Sequence, residues 1–307
     1  MSFTITLATV AMMLLYAVPG YLMTKAKLLR EEAIAPLVTL LLYLCAPMQT
    51  MYTMQGVTYS AYMLKYLGIA TVLSIGLVAL MLGIVYACLR RRQDVVAFRI
   101  FTIASACGNV GFFGIPLLEA LLPDYPQALA FSSVFSVTMN ILMWTVGSFI
   151  ITRDRKYMSA RKILTNPTSI AMVIALALFF TRVELTGPVA DAITVMGRMA
   201  TPMCMLVLGV RLALIPIRRV FVSPLQYLAV GLKMIAFPLL ALLVCRLLPV
   251  ERDFARCIYI IACVPVASVV LSFSEMLGEG QDIAANVMLL STLLSLVTIP
   301  VMMLLAR

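Results

Sequence analysis

Long apolar stretches separated by short polar loops dominate the pattern along the 307-residue chain. A helix that crosses the hydrocarbon core of a membrane needs roughly 20 apolar residues. Charge-free stretches of about that length cover residues 3–24, 33–64, 66–89, 100–118, 125–152, 163–181, 257–274 and 283–306. Two further stretches, 192–210 and 220–245, each contain one cation, Arg198 or Lys233. The pattern predicts an all-α polytopic membrane protein with ten transmembrane helices, numbered here 1 to 10.

The composition supports this class and excludes several others. Hydrophobic residues make up 63% of the chain and charged residues 12%, whereas soluble domains have about 45–50% and about 25%. The chain has no histidine, which removes Ser-His-Asp catalysis and His-based zinc or haem sites. Its seven cysteines lack CxxC spacing and indicate neither a disulfide framework nor a metal site. We therefore predict that the protein is no enzyme and needs no cofactor or metal.

Basic residues predict the orientation, because cytoplasmic loops of membrane proteins are enriched in Lys and Arg. The loops after helices 1, 3, 5 and 7 carry fifteen of them, against six on the other side. The fifteen are Lys25, Lys27, Arg30, Arg90, Arg91, Arg92, Arg99, Arg153, Arg155, Lys156, Arg161, Lys162, Arg211, Arg218 and Arg219. The net charge of +10 thus indicates cytoplasmic loops in a cell membrane rather than nucleic-acid binding. Both termini are predicted to be extracytoplasmic.

The two halves of the chain share short motifs at one offset. Residues 46–48 (Ala-Pro-Met) and 201–203 (Thr-Pro-Met) are 155 positions apart, and the same offset carries Asn109 onto Val264, beside Pro265. It also relates one pair of polar residues to another: Ser136 and Asn140 to Ser291 and Ser295. Chance similarity between apolar segments is the alternative. A duplicated unit of five helices has an odd number of spans, so the second copy must be inverted.

This repeat divides the chain into residues 1–152, a basic cytoplasmic linker 153–166, and residues 167–307. Inverted repeats place substrate sites near the middle of the membrane, where interrupted helices meet. The candidate interruptions lie in helices 4 and 9.

In helix 4, residues 108–116 contain three glycines within seven residues, followed by Pro116. Glycine and proline weaken a helix, and Asn109 competes with the backbone for hydrogen bonds. Unwound backbone at this depth requires a cavity or surrounding protein. Backbone amides at the start of the next half-helix suit an anion such as a carboxylate. Gly108, Asn109, Val110 and Gly111 are therefore substrate-binding candidates, and close packing through small residues is the alternative.

Helix 9 offers the counterpart at Val264 and Pro265, for which a simple proline kink is the alternative. Helix 5 presents Ser136 and Asn140 on one face, as further candidates or as hydrogen-bonding groups between helices.

Lys233 has about a dozen apolar residues on either side and must pair, reach water or snorkel. It is a possible charge partner of the substrate. Arg198 is close enough to the outer surface to snorkel. No acidic residue lies at mid-span, which weakens a scheme with a buried carboxylate as proton carrier, while sodium held by carbonyls stays open.

Four segments of the chain resemble the auxin efflux carrier family, which is related to the plant PIN exporters: residues 108–116, 164–167, 200–209 and 287–300. The resemblance implies a five-plus-five inverted repeat with crossed, broken helices 4 and 9, similar to the bile-acid symporter fold. It implies helices 1, 2, 6 and 7 as scaffold and homodimer surface, with helices 3–5 and 8–10 as a moving, elevator-type transport domain.

The resemblance also implies small organic anions as substrates: auxin in plants, and dicarboxylates such as malate or malonate in some bacterial members. Asn109 matches the family's crossover Asn, which binds the substrate carboxylate, and Pro265 matches the second crossover Pro. Plant members have Pro where this chain has Val110, and their long cytoplasmic loop is missing here. These departures weigh against auxin itself as the natural substrate, so the predicted substrates are auxin-like monocarboxylates or malate- or malonate-like dicarboxylates. A ligand sensor using the same pocket and a sodium-coupled symporter are the alternatives.

Overall fold

The structure is a computed structural model that describes residues 3–154, 156, 158 and 165–306. Of the residues named above, Arg155, Arg161 and Lys162 lie outside the described residues, as does residue 164 of the second resembling segment. In the described part of the chain the protein is helical, with no strand beyond one isolated β-bridge.

The helices are numbered to match the predicted ones, with a and b for the halves of a broken helix. They are α1 (Phe3–Lys25), α2 (Glu31–Gln55), α3 (Ala61–Cys88), α4a (Val96–Ala106), α4b (Val110–Leu121), α5 (Gln127–Thr152), α6 (Pro167–Thr181), α7 (Gly187–Leu214), α8 (Pro224–Leu247), α9a (Arg252–Ala262), α9b (Val269–Leu277) and α10 (Gln281–Met303).

Within the described ranges, seven helices are long and apolar enough to cross a membrane: α1, α2, α3, α5, α7, α8 and α10. The chain is therefore an all-helical, multi-pass membrane protein. The other three predicted spans differ from the sequence pattern. The helix predicted over residues 163–181 begins only at Pro167, and those predicted over 100–118 and 257–274 are each divided into two short halves. The number of ten spans stays a prediction.

The two divisions lie side by side. Between α4a and α4b, the carbonyl of Cys107 accepts a hydrogen bond from the N–H of Ala267 at 3.0 Å. The N–H of Asn109 donates to the carbonyl of Pro265, between α9a and α9b, at 2.8 Å. Gly108 and Val266 form an antiparallel bridge between these bonds. Each break thus satisfies backbone groups of the other, as buried backbone requires in an apolar medium.

Proline also explains irregular turns in two of the long helices. A π-helical turn at Leu41–Cys45 precedes Pro47 in α2, and another at Leu232–Ala236 precedes Pro238 in α8. Proline lacks an N–H and clashes with the carbonyl four residues earlier, and the wider turn accommodates both effects. Lys233 lies in the second of these turns.

Helix packing gives two groups, which α1 connects because its first half also packs against α10 and α4b. In the first, α1 packs against α7, and α2 packs against α6 and α7. The α1–α7 contact brings backbones together, since a Cβ on Gly209 would lie 1.9 Å from the Ala17 carbonyl oxygen and one on Gly20 would lie 2.1 Å from that of Leu206. In the second group, α3 packs against α5, and α8 packs against α10. Helix α4a and the two halves of α9 pack against these four helices. The crossed breaks belong to the second group.

Candidate functional site

A cavity of about 370 Å³ lies against the crossed breaks. Its walls come from α2, α6 and α7 on one side and from α4b, α5, α9b and α10 on the other, so it separates the two packing groups. Six of the predicted site residues line it: Gly108, Asn109, Val110, Gly111, Ser136 and Asn140. The other three, Val264, Pro265 and Lys233, are not among its lining residues. All three are buried, Val264 and Pro265 within the break of α9 and Lys233 on α8.

Asn109 is half-buried and occupies the turn between extended and helical backbone. Its main-chain N–H is bonded to Pro265, which fixes the residue at the crossing. Its carboxamide nitrogen makes a long contact of 3.8 Å with the sulfur of Cys204 on α7. Sulfur is a weak acceptor, so the amide keeps most of its donor capacity for a ligand in the cavity.

Two helix N-termini also face the cavity. Gly111 and Phe112 lie in the first turn of α4b, Ser268 is the cap of α9b and Val269 its first residue; all four line the cavity. The carbonyls four residues before them lie in or beside the breaks, so their N–H groups lack the usual helical acceptors. A helix N-terminus carries a partial positive charge and binds anions through such N–H groups. This wall of the cavity is therefore suited to a carboxylate.

Lys233 lies on the opposite side of the breaks from the cavity. Its side chain has no solvent exposure, and its Nζ donates to the carbonyl of Ala262, the last residue of α9a, at 2.7 Å. The ammonium also lies 4.7 Å from the centre of the Phe237 ring. A helix C-terminus carries a partial negative charge, which a cation stabilises. Lys233 neutralises the end of α9a and lies next to Gly108, which lines the cavity.

Hydroxyl groups of α5 and α10 satisfy backbone groups that the breaks leave free. Ser132 donates to the carbonyl of Val110 at 3.3 Å, and the N–H of Val266 donates to Ser291 at 3.0 Å. Ser295 instead donates within its own helix, at 2.6 Å. Ser132 and Ser291 therefore form hydrogen bonds between helices.

Four residues that line the cavity are not predicted as site residues by the sequence: Gln49 on α2, Asn166 at the start of α6, and Cys204 and Arg211 on α7. Arg211 is the most important, because it is the only charged residue among the described residues that line the cavity. The sequence placed it in a loop, since the apolar stretch ends at residue 210. In the structure α7 continues to Leu214, which brings Arg211 onto the helix face that borders the cavity.

At the other end of α4b, a polar contact joins the two packing groups. The Tyr52 hydroxyl on α2 hydrogen bonds to the carboxylate of Glu119 on α4b. Arg198 on α7 donates to the same hydroxyl at 3.4 Å and lies over the tyrosine ring, 5.4 Å from its centre. Arg198 therefore does more than snorkel to the surface.

Comparison with known proteins identifies the family of the chain. Residues 5–303 match the Mem_trans family, described as membrane transport protein. A protein of Rhizobium meliloti (strain 1021) with the name "Putative malonate transporter" is 26% identical over 225 residues, which cover 71% of this chain and 70% of that protein. Because the family match spans nearly the whole chain, the protein belongs to this family of membrane transporters, the auxin efflux carrier family that its motifs resemble.

Proposed function

We propose that the protein carries small organic anions across the cell membrane and holds the substrate carboxylate at the crossed breaks of α4 and α9. One observation carries the proposal: the cavity brings the Asn109 carboxamide together with the N-termini of α4b and α9b. These are donors, and the described lining residues include no acidic side chain. Such a site binds an anion better than a cation or a neutral solute.

We further propose that the ten helices form a five-plus-five inverted repeat that works as an elevator. Helices α1, α2, α6 and α7 are the scaffold, and α3–α5 with α8–α10 are the moving transport domain. The position of the cavity between the two packing groups supports this division. So does the antiparallel pairing of the two breaks, which an inverted repeat with crossed helices requires. The scaffold is also the proposed surface of a homodimer.

In this mechanism Lys233 is a charge partner on the closed side of the breaks. Its ammonium stabilises the end of α9a and adds positive potential behind the cavity wall. Replacing Lys233 by Met keeps the apolar stem, removes the charge and leaves the Ala262 carbonyl unpaired, so we expect slower transport. The ammonium also occupies a carbonyl at the C-terminal end of a half-helix, a kind of group that coordinates Na⁺ in other transporters, which favours transport that does not depend on sodium.

The substrates that we propose include malonate-like dicarboxylates and short monocarboxylates. The relative named for malonate supports the first class. Transport is tested with purified protein in liposomes, by recording current on a solid-supported membrane while a panel of carboxylates is added, in sodium and in choline buffer. We expect a saturable response in the wild type that is equal in both buffers. Silence with every anion, together with no thermal stabilisation by any of them, would contradict the proposal; stabilisation without transport would favour the ligand sensor.

The position of the site is tested by Asn109→Ala, which should abolish the response while the protein remains folded. Asn286→Ala is the matched control, because Asn286 lies on α10 and is not among the residues that line the cavity. Both variants are compared with the wild type by gel filtration and melting temperature. Full activity of Asn109→Ala would place the site elsewhere.

The proposed orientation, with both termini extracytoplasmic, has its own test. Cys88, at the end of α3, is exposed, whereas the other six cysteines are buried or half-buried. Because the following loop is predicted to be cytoplasmic, a membrane-impermeant maleimide should label Cys88 only after cells are permeabilised. Cys88→Ser controls for labelling elsewhere, and labelling of Cys88 in intact cells would reverse the orientation.

A further inference from the structure

Arg211 is a cation that lines the cavity but does not belong to the crossed breaks. It lies half-buried on α7, and within the described residues its guanidinium has no hydrogen bond or ion pair. Glu31 and Glu275 are close enough for their charges to act on it, but neither forms an ion pair with it. An arginine at the wall of an anion-binding cavity, with its planar donors free, is suited to bind a carboxylate through two hydrogen bonds.

The usual structural role of a cation near a helix C-terminus, hydrogen bonding to the last carbonyls, is performed at the end of α7 by another residue. Cations near a helix C-terminus stabilise its last carbonyls. At the end of α7, Lys25 of α1 does this, because its Nζ donates to the carbonyl of Ala213 at 2.9 Å. Arg211 is therefore not required as a cap for α7.

The position of Arg211 relative to Asn109 sets the size of ligand that would contact both. Cys204, which contacts the Asn109 carboxamide, precedes Arg211 by seven residues in α7. Seven residues are two turns, so both side chains lie on one face, about 10 Å apart along the axis. Helical side chains lean toward the N-terminus, which brings the long arginine back toward Asn109. Val207 and Leu208 line the cavity between them and provide an apolar wall.

We propose that Arg211 binds a second carboxylate, so that the preferred substrate is a short dicarboxylate held at both ends. One carboxylate lies at the crossed breaks and the other at the guanidinium, with the methylene carbons against the apolar wall. This inference rests on the proposed function, since it assumes that the cavity is the transport site. It goes further by assigning the choice between dicarboxylates and monocarboxylates to one residue.

The test compares two substrates that share a three-carbon chain, radiolabelled malonate and propionate, in proteoliposomes. Arg211→Gln should raise the KM for malonate by about tenfold or more, the effect of losing a charged hydrogen-bonding pair, and leave propionate transport unchanged. Lys25→Gln is the matched control: it removes a cation from the same region that does not line the cavity, and should change neither substrate. Asn109→Ala should abolish transport of both.

The outcomes separate the inference from the proposed function. Equal loss of malonate and propionate transport in Arg211→Gln, or no loss of either, overturns the role of Arg211 while the transport site stands. Failure of the wild type to carry either substrate, or full activity of Asn109→Ala, overturns the proposed function and the inference with it. If Arg211→Gln does not fold, Arg211→Lys replaces it; because Lys keeps the charge and loses the paired donors, a smaller loss confined to malonate is expected.

Discussion

Replacing Gly108 by alanine tests the packing at the crossing of the two breaks. An added Cβ would lie 2.9 Å from Cγ2 of Val264, 3.0 Å from Cε of Lys233 and 3.1 Å from its Nζ. The backbone of Gly108 does not have a positive φ, so alanine introduces no strain of its own. Any loss of stability must therefore come from these contacts.

The neighbours of Gly108 have little freedom to move away. The Lys233 side chain is fully buried, and its ammonium is held by the Ala262 carbonyl. Val264 is also fully buried. Inserting a methyl group into a packed interior costs typically about 1–3 kcal/mol. At roughly 2–4 °C per kcal/mol, we expect the melting temperature of Gly108→Ala to fall by about 2–12 °C.

The assay is thermal unfolding of the purified protein in detergent, followed by circular dichroism. Gly111→Ala is the matched control, because its Cβ would lie 3.5 Å from Oε1 of Gln49 and 3.6 Å from Oγ of Ser136, which are ordinary contacts. Its melting temperature should stay close to that of the wild type. Equal stability of Gly108→Ala and wild type would refute the packing described here.

A double-mutant cycle assigns the effect to Lys233. Lys233→Ala removes two of the three close contacts, so Gly108→Ala should cost less in that background than in the wild type. Coupling energies between contacting residues are about 0.5–3 kcal/mol. Additive effects would mean that Gly108 and Lys233 do not touch, and the cation would then lie elsewhere.

Two further variants test other contacts of the breaks. Ser291→Ala leaves the buried N–H of Val266 in the second break unpaired, which should cost about 1–3 kcal/mol and lower the melting temperature. Ser295→Ala is the control and should cost less, because the Ser295 hydroxyl bonds only within α10. Equal melting temperatures for the two variants would contradict this. Tyr52→Phe removes the hydroxyl that joins Glu119 to Arg198, so hydrogen–deuterium exchange at the end of α4b should increase, and unchanged exchange would show that the contact does not hold α4b.

The breaks could be located from the sequence because glycine, proline and asparagine act on the backbone locally. Three glycines around Asn109 and the proline at 265 weaken a helix wherever it lies in the fold. Predicting that the two breaks meet required the internal repeat as well, since residues 155 positions apart carry no local signal of contact. The pairing of Gly108 with Val266 is a contact of the tertiary structure.

The rest of the candidate site depends on tertiary packing that no local pattern encodes. Arg211 seemed to belong to a loop, because the apolar stretch stops one residue earlier; only packing against α1 shows how far α7 extends. Lys233 was recognised as a buried cation, yet the sequence gives no means of deciding which side of the break it faces. The position of Pro265 also depends on tertiary contacts. Its carbonyl accepts a hydrogen bond from the N–H of Asn109, and Pro265 is not among the residues that line the cavity.

The electrostatics of the crossing explain why the cavity should attract an anion. Breaking two helices in an apolar region creates both negative and positive helix ends, and each is costly if left unpaired. The negative end of α9a is covered from within by Lys233, a cation that the chain itself supplies. The N-termini of α4b and α9b instead face the cavity, where Arg211 is the only charged residue among the described lining residues. The described residues that line the cavity thus include a positive side chain and two positive helix ends but no acidic side chain, which favours an anion as the proposed ligand.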